Sequence, residues 1–243
     1  MTQDKHELPE KKVVVITGGS RGIGLAMAEA FAEAGYKVII TGREAARLQT
    51  AIDQLKSKGL MAGSVICDVT LPASVEAAFA QISAKHSRID VLVNNAGVAH
   101  ALAPATKLPL DIWKRVIDTN LTGMFLVTQA ALPHMQSGGT IVNNLSVAAI
   151  QPFAGMSAYN ASKYGAYGFT QALREDLRKS GIRVVALMPG ATDTDIWGQF
   201  WADAPREKMV SPRSVADAVL HAVNAPANTS IDEIRLGPAA GVL

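Results

Sequence analysis

The segment YNASK, residues 159–163, places a tyrosine and a lysine four positions apart. In a helix this spacing puts both side chains on one face, close enough to interact. A free tyrosine has a pKa of about 10, and a neighbouring ammonium group would stabilise the phenolate and lower that pKa. Tyr159 could then donate or accept a proton near neutral pH. Tyrosine–lysine pairs are also common on ordinary helix surfaces, so the pair alone leaves both interpretations open.

Two polar residues, Ser146 and Asn120, stand where they could join such a site. Ser146 ends the strand-like run TIVNNLS, and open α/β sheets bind ligands beyond the carboxyl ends of their strands. Its hydroxyl could face Tyr159 and hydrogen-bond a substrate oxygen. Asn120 lies inside a predicted helix, 109–136, where asparagine is a poor helix former. Either a local distortion aims its backbone carbonyl into the site, or it is a tolerated polar residue within the helix.

The segment TGGSRGIG, residues 17–24, follows the apolar run VVVI and contains Gly18, Gly22 and Gly24. Glycine permits positive φ and lets a phosphate approach the backbone, and the N-terminus of a following helix attracts anions. A leucine follows Gly24, where a Walker A loop would have G-K-[ST], so hydrolysis of nucleoside triphosphates is not expected. The glycines could also serve only to pack the first helix on the sheet. Their place at the first βα turn favours a dinucleotide.

Short β-branched runs alternate with longer helical patterns along the chain. The predicted strands are 13–17, 37–41, 63–68, 90–94, 140–146, 182–190 and 231–237. Most are continuously apolar, which is typical of parallel strands covered on both faces. The first predicted helix follows the glycine loop and ends at Gly35. The others cover 44–58, a segment that begins at Pro72, 109–136, 157–180, and a segment from Pro212 to about Val223. Repeated β-α-β units predict a doubly wound (Rossmann) α/β fold: a mostly parallel seven-stranded sheet with helices on both faces.

Composition limits the class of protein. A chain of 243 residues, 49% hydrophobic and 18% charged, suits one domain with a full core; we expect 1–243 to form it, with a flexible tail at 1–10. Scattered basic residues and a net charge of +2 give no footprint for nucleic acid. The single cysteine and the spacing of the histidines predict no bound metal. The polar start and the lack of a long apolar segment predict a cytoplasmic protein with no membrane partner.

Taken in order, the motifs resemble the short-chain dehydrogenase/reductase superfamily over about residues 11–190. They are TGGSRGIG, NNAG at 94–97, Asn120, Ser146, YNASK, and PGATDT at 189–194. The G-x-x-x-G-x-G spacing is similar to that family's nucleotide loop, and the 13-residue step from Ser146 to Tyr159 also suits it. The pair Asn143–Asn144 departs slightly from the family pattern, and we interpret it as strand-end variation. The resemblance implies hydride transfer between a nicotinamide cofactor and a carbonyl or secondary alcohol.

The resemblance also implies roles for individual residues. Tyr159 would be the general acid in reduction or the base in oxidation, and it would contact the substrate together with Ser146. Lys163 would lower the pKa of Tyr159 and bind the nicotinamide ribose, while Asn120 would support a water leading to solvent. Thr17 would brace the cofactor cleft. Besides Tyr159 and Lys163, the expected cofactor contacts are Gly18, Ser20, Arg21, Gly22, Ile23, Gly24, Arg43, Asp68, Val69, Asn95, Ala96, Gly97, Pro189, Gly190 and Thr192.

The end of the second predicted strand bears on which dinucleotide is bound. An acid there would accept hydrogen bonds from the ribose 2′-OH and repel a 2′-phosphate, but the chain reads TGRE, with Gly42 in that place. Arg43 and Arg21 could bind a phosphate through charge-assisted bonds, and both positions are similar to the family's NADP-preferring pattern. Glu44 is a rival ribose acid, although we expect it in the first turn of the next helix. NADP(H) is therefore the expected cofactor, with NAD(H) as the alternative.

The segment 191–211, called the lid segment below, has no clear period and carries Trp197, Phe200 and Trp201. We expect it to cover the nicotinamide end, with Trp197 contacting the substrate. Packing of the lid itself, or a subunit contact, would explain the aromatic residues equally well. If they line the pocket, the substrate has an apolar or ring-shaped part.

Several other expectations concern assembly and function. The family usually forms dimers or tetramers on helices corresponding to 109–136 and 157–180, so a homo-oligomer is expected. Alternative functions are an NAD-dependent alcohol dehydrogenase or a 3-oxoacyl-carrier-protein reductase of the same family, and a non-catalytic nucleotide-binding regulator. The intact residues Asn120, Ser146, Tyr159 and Lys163 speak against the regulator. The longer epimerase and dehydratase branch usually carries a substrate domain, for which this chain has no room.

Overall fold

The computed structural model describes residues 11–241, and its seven strands form one sheet. The strands are β1 (Val13–Thr17), β2 (Lys37–Gly42), β3 (Ala62–Ile66), β4 (Ile89–Asn94), β5 (Met135–Asn144), β6 (Arg183–Pro189) and β7 (Glu233–Leu236). Their order across the sheet is β3-β2-β1-β4-β5-β6-β7, and every neighbouring pair is parallel. The order reverses between β1 and β4, where doubly wound sheets bind ligands. The predicted fold class is confirmed, and the tail at 1–10 lies outside the described residues.

Seven α-helices connect or follow the strands. They are α1 (Gly22–Glu33), α2 (Ala45–Ser57), α3 (Pro72–Ser83), α4 (Leu110–Ile117), α5 (Gly123–Ala131), α6 (Ser157–Leu177) and α7 (Pro212–Val223). Gly35, just after α1, and Gly181, after a 3₁₀ turn that extends α6, have φ values of +84° and +68°. These left-handed conformations suit glycine and end the helices where the sequence predicts. None of the helices in the described part of the chain could span a membrane.

The two largest hydrophobic cores among the described residues lie on opposite faces of the sheet. Alternate residues of β1 point into different cores: Val14 and Ile16 join side chains of α1, α2 and α7, whereas Val13 and Val15 join those of α3, α5 and α6. Because a strand covered on both faces has no solvent side, β1 is apolar at every position except its last residue, Thr17. The two cores hold the carboxyl ends of the strands in fixed positions.

The sequence interpretation was wrong at one place. The predicted helix 109–136 is interrupted by a π turn, Asp118–Thr122, and a 3₁₀ turn, Leu132–His134, leads directly into β5. Pro133 lies in that last turn, and proline lacks the N–H that would continue the α-helical ladder. The edge strand β3 is less covered than the central strands, and its Ile66 side chain is 58% exposed.

Candidate active site

A cleft of about 620 Å³ opens beyond the carboxyl ends of the strands. It is lined by the glycine loop after β1, by the segments that follow β2 to β6, and by the first turns of α6. Every residue expected at the site lines this cleft except Asn120 and Thr17. The sequence motifs therefore converge in space, because parallel strands present their carboxyl ends along one edge of the sheet.

The glycine loop brings backbone close to backbone. Gly18 and Gly22 have φ values of +63° and +54°. A β-carbon on Gly24 would lie 2.4 Å from the Gly18 oxygen and 2.5 Å from the Asn95 side-chain nitrogen, so only glycine fits there. Arg21 at the N-cap of α1 makes no side-chain capping bond, and the first turn of α1 carries no acidic residue. The N-terminal N–H groups of α1 are thus left without a side-chain cap, as a site for a phosphate group requires.

Thr17 ties the glycine loop to the NNAG turn. Its hydroxyl oxygen accepts hydrogen bonds from the backbone N–H groups of Asn95, at 2.9 Å, and Ala96, at 3.0 Å. The Asn95 side chain returns the contact by donating to the backbone oxygens of Thr17 and Gly18, at 2.9 and 3.0 Å. These bonds fix the two walls of the cleft on either side of the β1–β4 junction.

Tyr159 and Lys163 share one face of α6, with the Lys163 nitrogen 5.6 Å from the centre of the tyrosine ring. The ammonium group donates a hydrogen bond to the Asn144 backbone oxygen at 3.0 Å. The Ser146 oxygen accepts a hydrogen bond from the Ala148 N–H at 3.1 Å, and Ser146 also hydrogen-bonds the Tyr159 phenol. Since its oxygen is held by Ala148, the Ser146 hydroxyl has its own proton available for the phenol or for a ligand oxygen.

Burial controls the protonation of this pair. It raises the pKa of the Tyr159 phenol, and the hydrogen bond from Ser146 opposes that rise. Burial also lowers the pKa of Lys163 from 10.5 to about 8. The direction for Tyr159 is opposite to the predicted lowering, because removal of both groups from water disfavours their charged forms. In the ligand-free protein the phenol therefore keeps its proton at neutral pH.

Asn120 lies within the π turn and is only 1% exposed. The helix is therefore distorted at Asn120, which was one of the two alternatives that the sequence left open, and the entry of its backbone carbonyl into the site stays a prediction. Its side-chain oxygen accepts from the Val98 N–H at 2.8 Å, and its nitrogen donates to the Val98 oxygen at 2.9 Å and to the Ser162 hydroxyl at 3.0 Å. Asn120 thus joins the segment after β4 to α6 from behind the cleft wall. Its support of a water molecule stays a prediction.

Sequence reasoning missed Asn160, the residue after Tyr159. Its side-chain nitrogen donates to the backbone oxygens of Ala148 and Gln151, at 3.0 and 3.1 Å, and its oxygen accepts from the Phe153 N–H at 3.1 Å. These three bonds fix the loop between Ser146 and α6. The sequence signal for this role was a polar residue next to Tyr159 in YNASK. Adjacent residues of a helix point in different directions, so Asn160 cannot face the cleft when Tyr159 does.

The Asn143–Asn144 pair does more than vary the end of β5. The Asn94 side chain donates to the side-chain oxygen of Asn143 at 2.9 Å, and Asn143 donates to the Thr170 hydroxyl at 2.9 Å. Asn94 and Asn143 are buried, as is Thr170. This amide ladder connects β4, β5 and α6. Asn144 in turn donates to the Asn95 side-chain oxygen at 2.8 Å and so braces the NNAG turn.

Three arginines of the glycine loop and the segment after β2 line the cleft. They are Arg21, Arg43 and Arg47, the last of which the sequence interpretation missed. Glu44 is the N-cap residue of α2, immediately before the first turn where it was expected, and its carboxylate lies 2.9 Å from the Arg47 side chain. Glu44 and Arg47 thus form an exposed ion pair at this end of the cleft.

The lid segment covers the other end of the cleft. Thr192 forms a parallel bridge with Val210, which closes the segment at its base. The Trp197 indole N–H donates to the Thr192 oxygen at 2.8 Å. The Trp197 ring lies 5.0 Å from the Phe200 ring and 5.9 Å from the Trp201 ring, measured between centroids. All three aromatic residues line the cleft, as the pocket interpretation requires.

A family model described as short chain dehydrogenase matches residues 12–205. An uncharacterized oxidoreductase from Staphylococcus saprophyticus is 33% identical, over 94% of this chain and 98% of the relative. An NADP-dependent 3-hydroxy acid dehydrogenase from Salmonella typhi is 35% identical, over 93% and 94%.

Two solved structures are also similar to most of this chain. An alcohol dehydrogenase from the archaeon Thermococcus sibiricus, complexed with 5-hydroxy-NADP, superposes with a TM-score of 0.86 at 27% identity, covering 96% of this chain and 98% of that one. A short chain dehydrogenase from Burkholderia cenocepacia in complex with NADP has a TM-score of 0.83 at 33% identity, covering 93% and 96%.

Proposed function

The chain belongs to the short-chain dehydrogenase/reductase superfamily, and on that premise we propose that it is an NADP(H)-dependent oxidoreductase acting on a carbonyl compound or secondary alcohol. Tyr159 is its general acid in reduction and its general base in oxidation. The observation that carries this proposal is the convergence of Tyr159, Ser146 and Lys163 beside a glycine loop that fits a phosphate. Nothing else in the cleft offers a comparable proton donor with a hydroxyl partner.

Each catalytic residue has one task. In the reducing direction Tyr159 donates its phenolic proton to the carbonyl oxygen, since burial keeps that proton on the phenol. Ser146, whose oxygen is held by the Ala148 N–H, turns its proton from the phenol to the same substrate oxygen. Lys163 lies within reach to stabilise the phenolate that remains, and Asn120 holds the wall behind it. The bound nicotinamide cofactor supplies or accepts the hydride.

The residues that would hold the cofactor lie along the strand ends. The glycine loop, with Gly18, Ser20, Gly22, Ile23 and Gly24, would hold the diphosphate. Asp68 and Val69 would contact the adenine end, and Asn95, Ala96 and Gly97 would contact the middle of the molecule. Pro189, Gly190 and Thr192 would contact the nicotinamide end, and Tyr159 and Lys163 would contact its ribose. All of these residues line the one cleft.

The preference for NADP(H) rests on the arginine-rich end of the cleft. We expect Arg21 and Arg43, which both line the cleft, to contact a 2′-phosphate, and Arg47 holds the nearby Glu44 carboxylate. Similar solved structures described as complexes with NADP or NADPH support the same choice.

Two variants test this function. The purified protein should oxidise NADPH when given ketones or aldehydes, and Tyr159→Phe should lower kcat by about 10²–10⁴-fold, the usual contribution of a general acid. Arg43→Asp should shift the ratio of kcat/KM for NADPH over NADH by at least about tenfold, since it replaces a charge-assisted contact by a repulsive one. Full activity in the phenylalanine variant would refute the role of Tyr159. Unchanged NADPH turnover in the aspartate variant would refute the cofactor assignment.

Assembly and location complete the proposal. A homodimer or homotetramer would bury the apolar side chains that α4, α5 and α6 leave exposed, namely Leu110, Trp113, Phe125 and Tyr164. Light scattering would measure the mass directly, and a monomer at micromolar concentration would contradict this part. The cytoplasmic location stays a prediction, which fractionation of expressing cells would test.

A further inference from the structure

Three segments of the chain form the cleft beyond Ser146 and Tyr159. They are the segment after β4, the loop between β5 and α6, and the turn of the lid segment at 196–201. Apart from Asn95, Ser146 and Gln199, their cleft-lining residues are glycine or carry apolar or aromatic side chains, and none of them is charged. A substrate whose reacting oxygen meets Ser146 and Tyr159 therefore extends its remaining atoms among uncharged side chains.

The lid segment contributes a fixed aromatic wall to this part of the cleft. Trp197 packs against the rings of Phe200 and Trp201, and its indole N–H is already bonded to the Thr192 oxygen. The orientation of the indole is thus set by the protein, and no polar atom of Trp197 remains for a ligand. Aromatic rings favour other rings in offset or edge-to-face contact.

Apolar surface on these walls is left open to solvent. Leu102 is 58% exposed, Trp201 is 42% exposed and Phe153 is 36% exposed, although all three line the cleft. Contact with an apolar ligand would remove this surface from water, which is favourable in proportion to the area covered. Phe153 is held in place through its N–H, which donates to Asn160.

The positive charges of the cleft belong to residues outside these three segments. Arg43 and Arg47 belong to the segment after β2, and Arg21 belongs to the glycine loop. The Arg21 guanidinium reaches the lid segment, where the Asp195 carboxylate lies 3.7 Å away as its ion-pair partner. Lys163 donates to the Asn144 oxygen behind Tyr159. A carboxylate on the substrate would meet no cationic partner among the described side chains of the three segments. Contact with these walls would remove water from the carboxylate without supplying an ion pair, which is unfavourable.

We propose that the substrate is an uncharged ketone bearing an aromatic ring, or the corresponding secondary alcohol, and that the site rejects carboxylate-bearing substrates. This inference rests on the proposed function, which supplies the reacting groups. It separates the chain from its 35%-identical relative, whose name describes a 3-hydroxy acid dehydrogenase. The difference follows from the walls of the cleft rather than from Ser146 and Tyr159.

The test uses secondary alcohols with NADP⁺. Each alcohol loses a hydride, with two electrons, from its carbon to NADP⁺ and a proton from its hydroxyl through Tyr159 to solvent, giving the ketone and NADPH. One pair of probes, methyl 3-hydroxybutyrate and 3-hydroxybutyrate, differs in the carboxylate charge. A second pair, 1-phenylethanol and 2-butanol, differs in the aromatic ring.

The wild-type protein should prefer the ester over the acid, and 1-phenylethanol over 2-butanol, each by at least about tenfold in kcat/KM, as expected when a pocket matches or mismatches a substituent. Trp197→Ala should reduce the preference for 1-phenylethanol to within about threefold while leaving the preference for the ester unchanged, because the wall supplies contact area and not charge. Trp197→Phe, which retains a ring, should keep most of the aromatic preference. Met61→Ala, which removes an exposed apolar side chain that does not line the cleft, should match the wild type for all four probes.

The outcomes separate this inference from the proposed function. Oxidation of 3-hydroxybutyrate as efficient as that of its ester, or equal use of 1-phenylethanol and 2-butanol, would overturn the inference while the proposed function stands. Retention of the aromatic preference in Trp197→Ala would also overturn the assigned wall. Undiminished activity in Tyr159→Phe, or no turnover of any probe or ketone in either direction, would refute the proposed function itself and the inference with it.

Discussion

Lys163 should make the stability of the ligand-free protein depend on pH, and Lys163→Met isolates that dependence. The residue is 5% exposed, and burial lowers its pKa from 10.5 to about 8. Because one pKa unit corresponds to about 1.4 kcal/mol, the charged lysine costs the folded state about 3 kcal/mol at neutral pH. Methionine fills similar space and cannot ionise.

The sign follows from proton binding. Between pH 8 and about 10.5 the unfolded chain keeps the lysine proton that the folded protein has lost, so the free energy of unfolding rises with pH in this window. Below pH 8 the full cost is present, and above about pH 10.5 it is gone. The free energy of unfolding of the wild type minus that of Lys163→Met should therefore increase by about 2 kcal/mol from pH 7 to pH 9.5.

Denaturant unfolding of both proteins without nucleotide, at several pH values, measures this difference. The variant also loses the hydrogen bond from Lys163 to the Asn144 oxygen. That loss changes the free energy of unfolding by an amount that does not vary with pH as the lysine titration does. Lys179→Met removes an exposed lysine from the same half of the chain and serves as the control. A difference between wild type and Lys163→Met that stays flat within about 0.5 kcal/mol, or that falls as pH rises, would refute the reasoning.

Three further predictions concern the scaffold of the site. Gly24→Ala should abolish NADPH binding in a fluorescence titration, because the new β-carbon would lie 2.4 Å from the Gly18 oxygen. Gly35→Ala is the control: its β-carbon meets open space, but its φ is +84°, so it should lower the free energy of unfolding by about 1–2 kcal/mol and leave binding intact. Asn160→Ala should lower kcat/KM and increase amide hydrogen exchange in the loop after β5, and exchange equal to that of the wild type would contradict its role. Asn143→Leu should lower the free energy of unfolding by about 1–3 kcal/mol, because its buried partners lose a hydrogen bond; an unchanged denaturation midpoint would count against the amide ladder.

The cleft residues could be predicted from the sequence because their positions follow from local rules. A continuously apolar strand indicates a buried parallel strand, and a polar residue at its end must then lie at the ligand-binding edge. Ser146 illustrates this rule at the end of β5. Gly24 follows from the close approach of strand and helix, and Asn120 from its poor fit to a regular helix.

What the sequence could not provide depends on partners distant along the chain. The bonds of Asn143 to Asn94 and Thr170 exist only because β4, β5 and α6 meet in space. The raised pKa of Tyr159 is another example, because a helical spacing indicates that Lys163 is near but not how deeply both groups are buried. Arg47 went unnoticed because its approach to the cleft depends on the direction in which α2 leaves β2.

The order of strands in the sheet also determines when a newly made chain becomes able to bind nucleotide. The Val13 N–H bonds the Asp90 carboxylate, 77 residues later, and the central β1–β4 pairing joins segments equally distant. Such non-local contacts form slowly, because a long loop must close before any of them is gained. The glycine loop leaves the ribosome early, yet its opposite wall at Tyr159 follows only after β5. During synthesis or refolding, the helices should therefore form before the chain can bind nucleotide. Added nucleotide cannot stabilise the folding chain until the second half of the sheet has paired with the first.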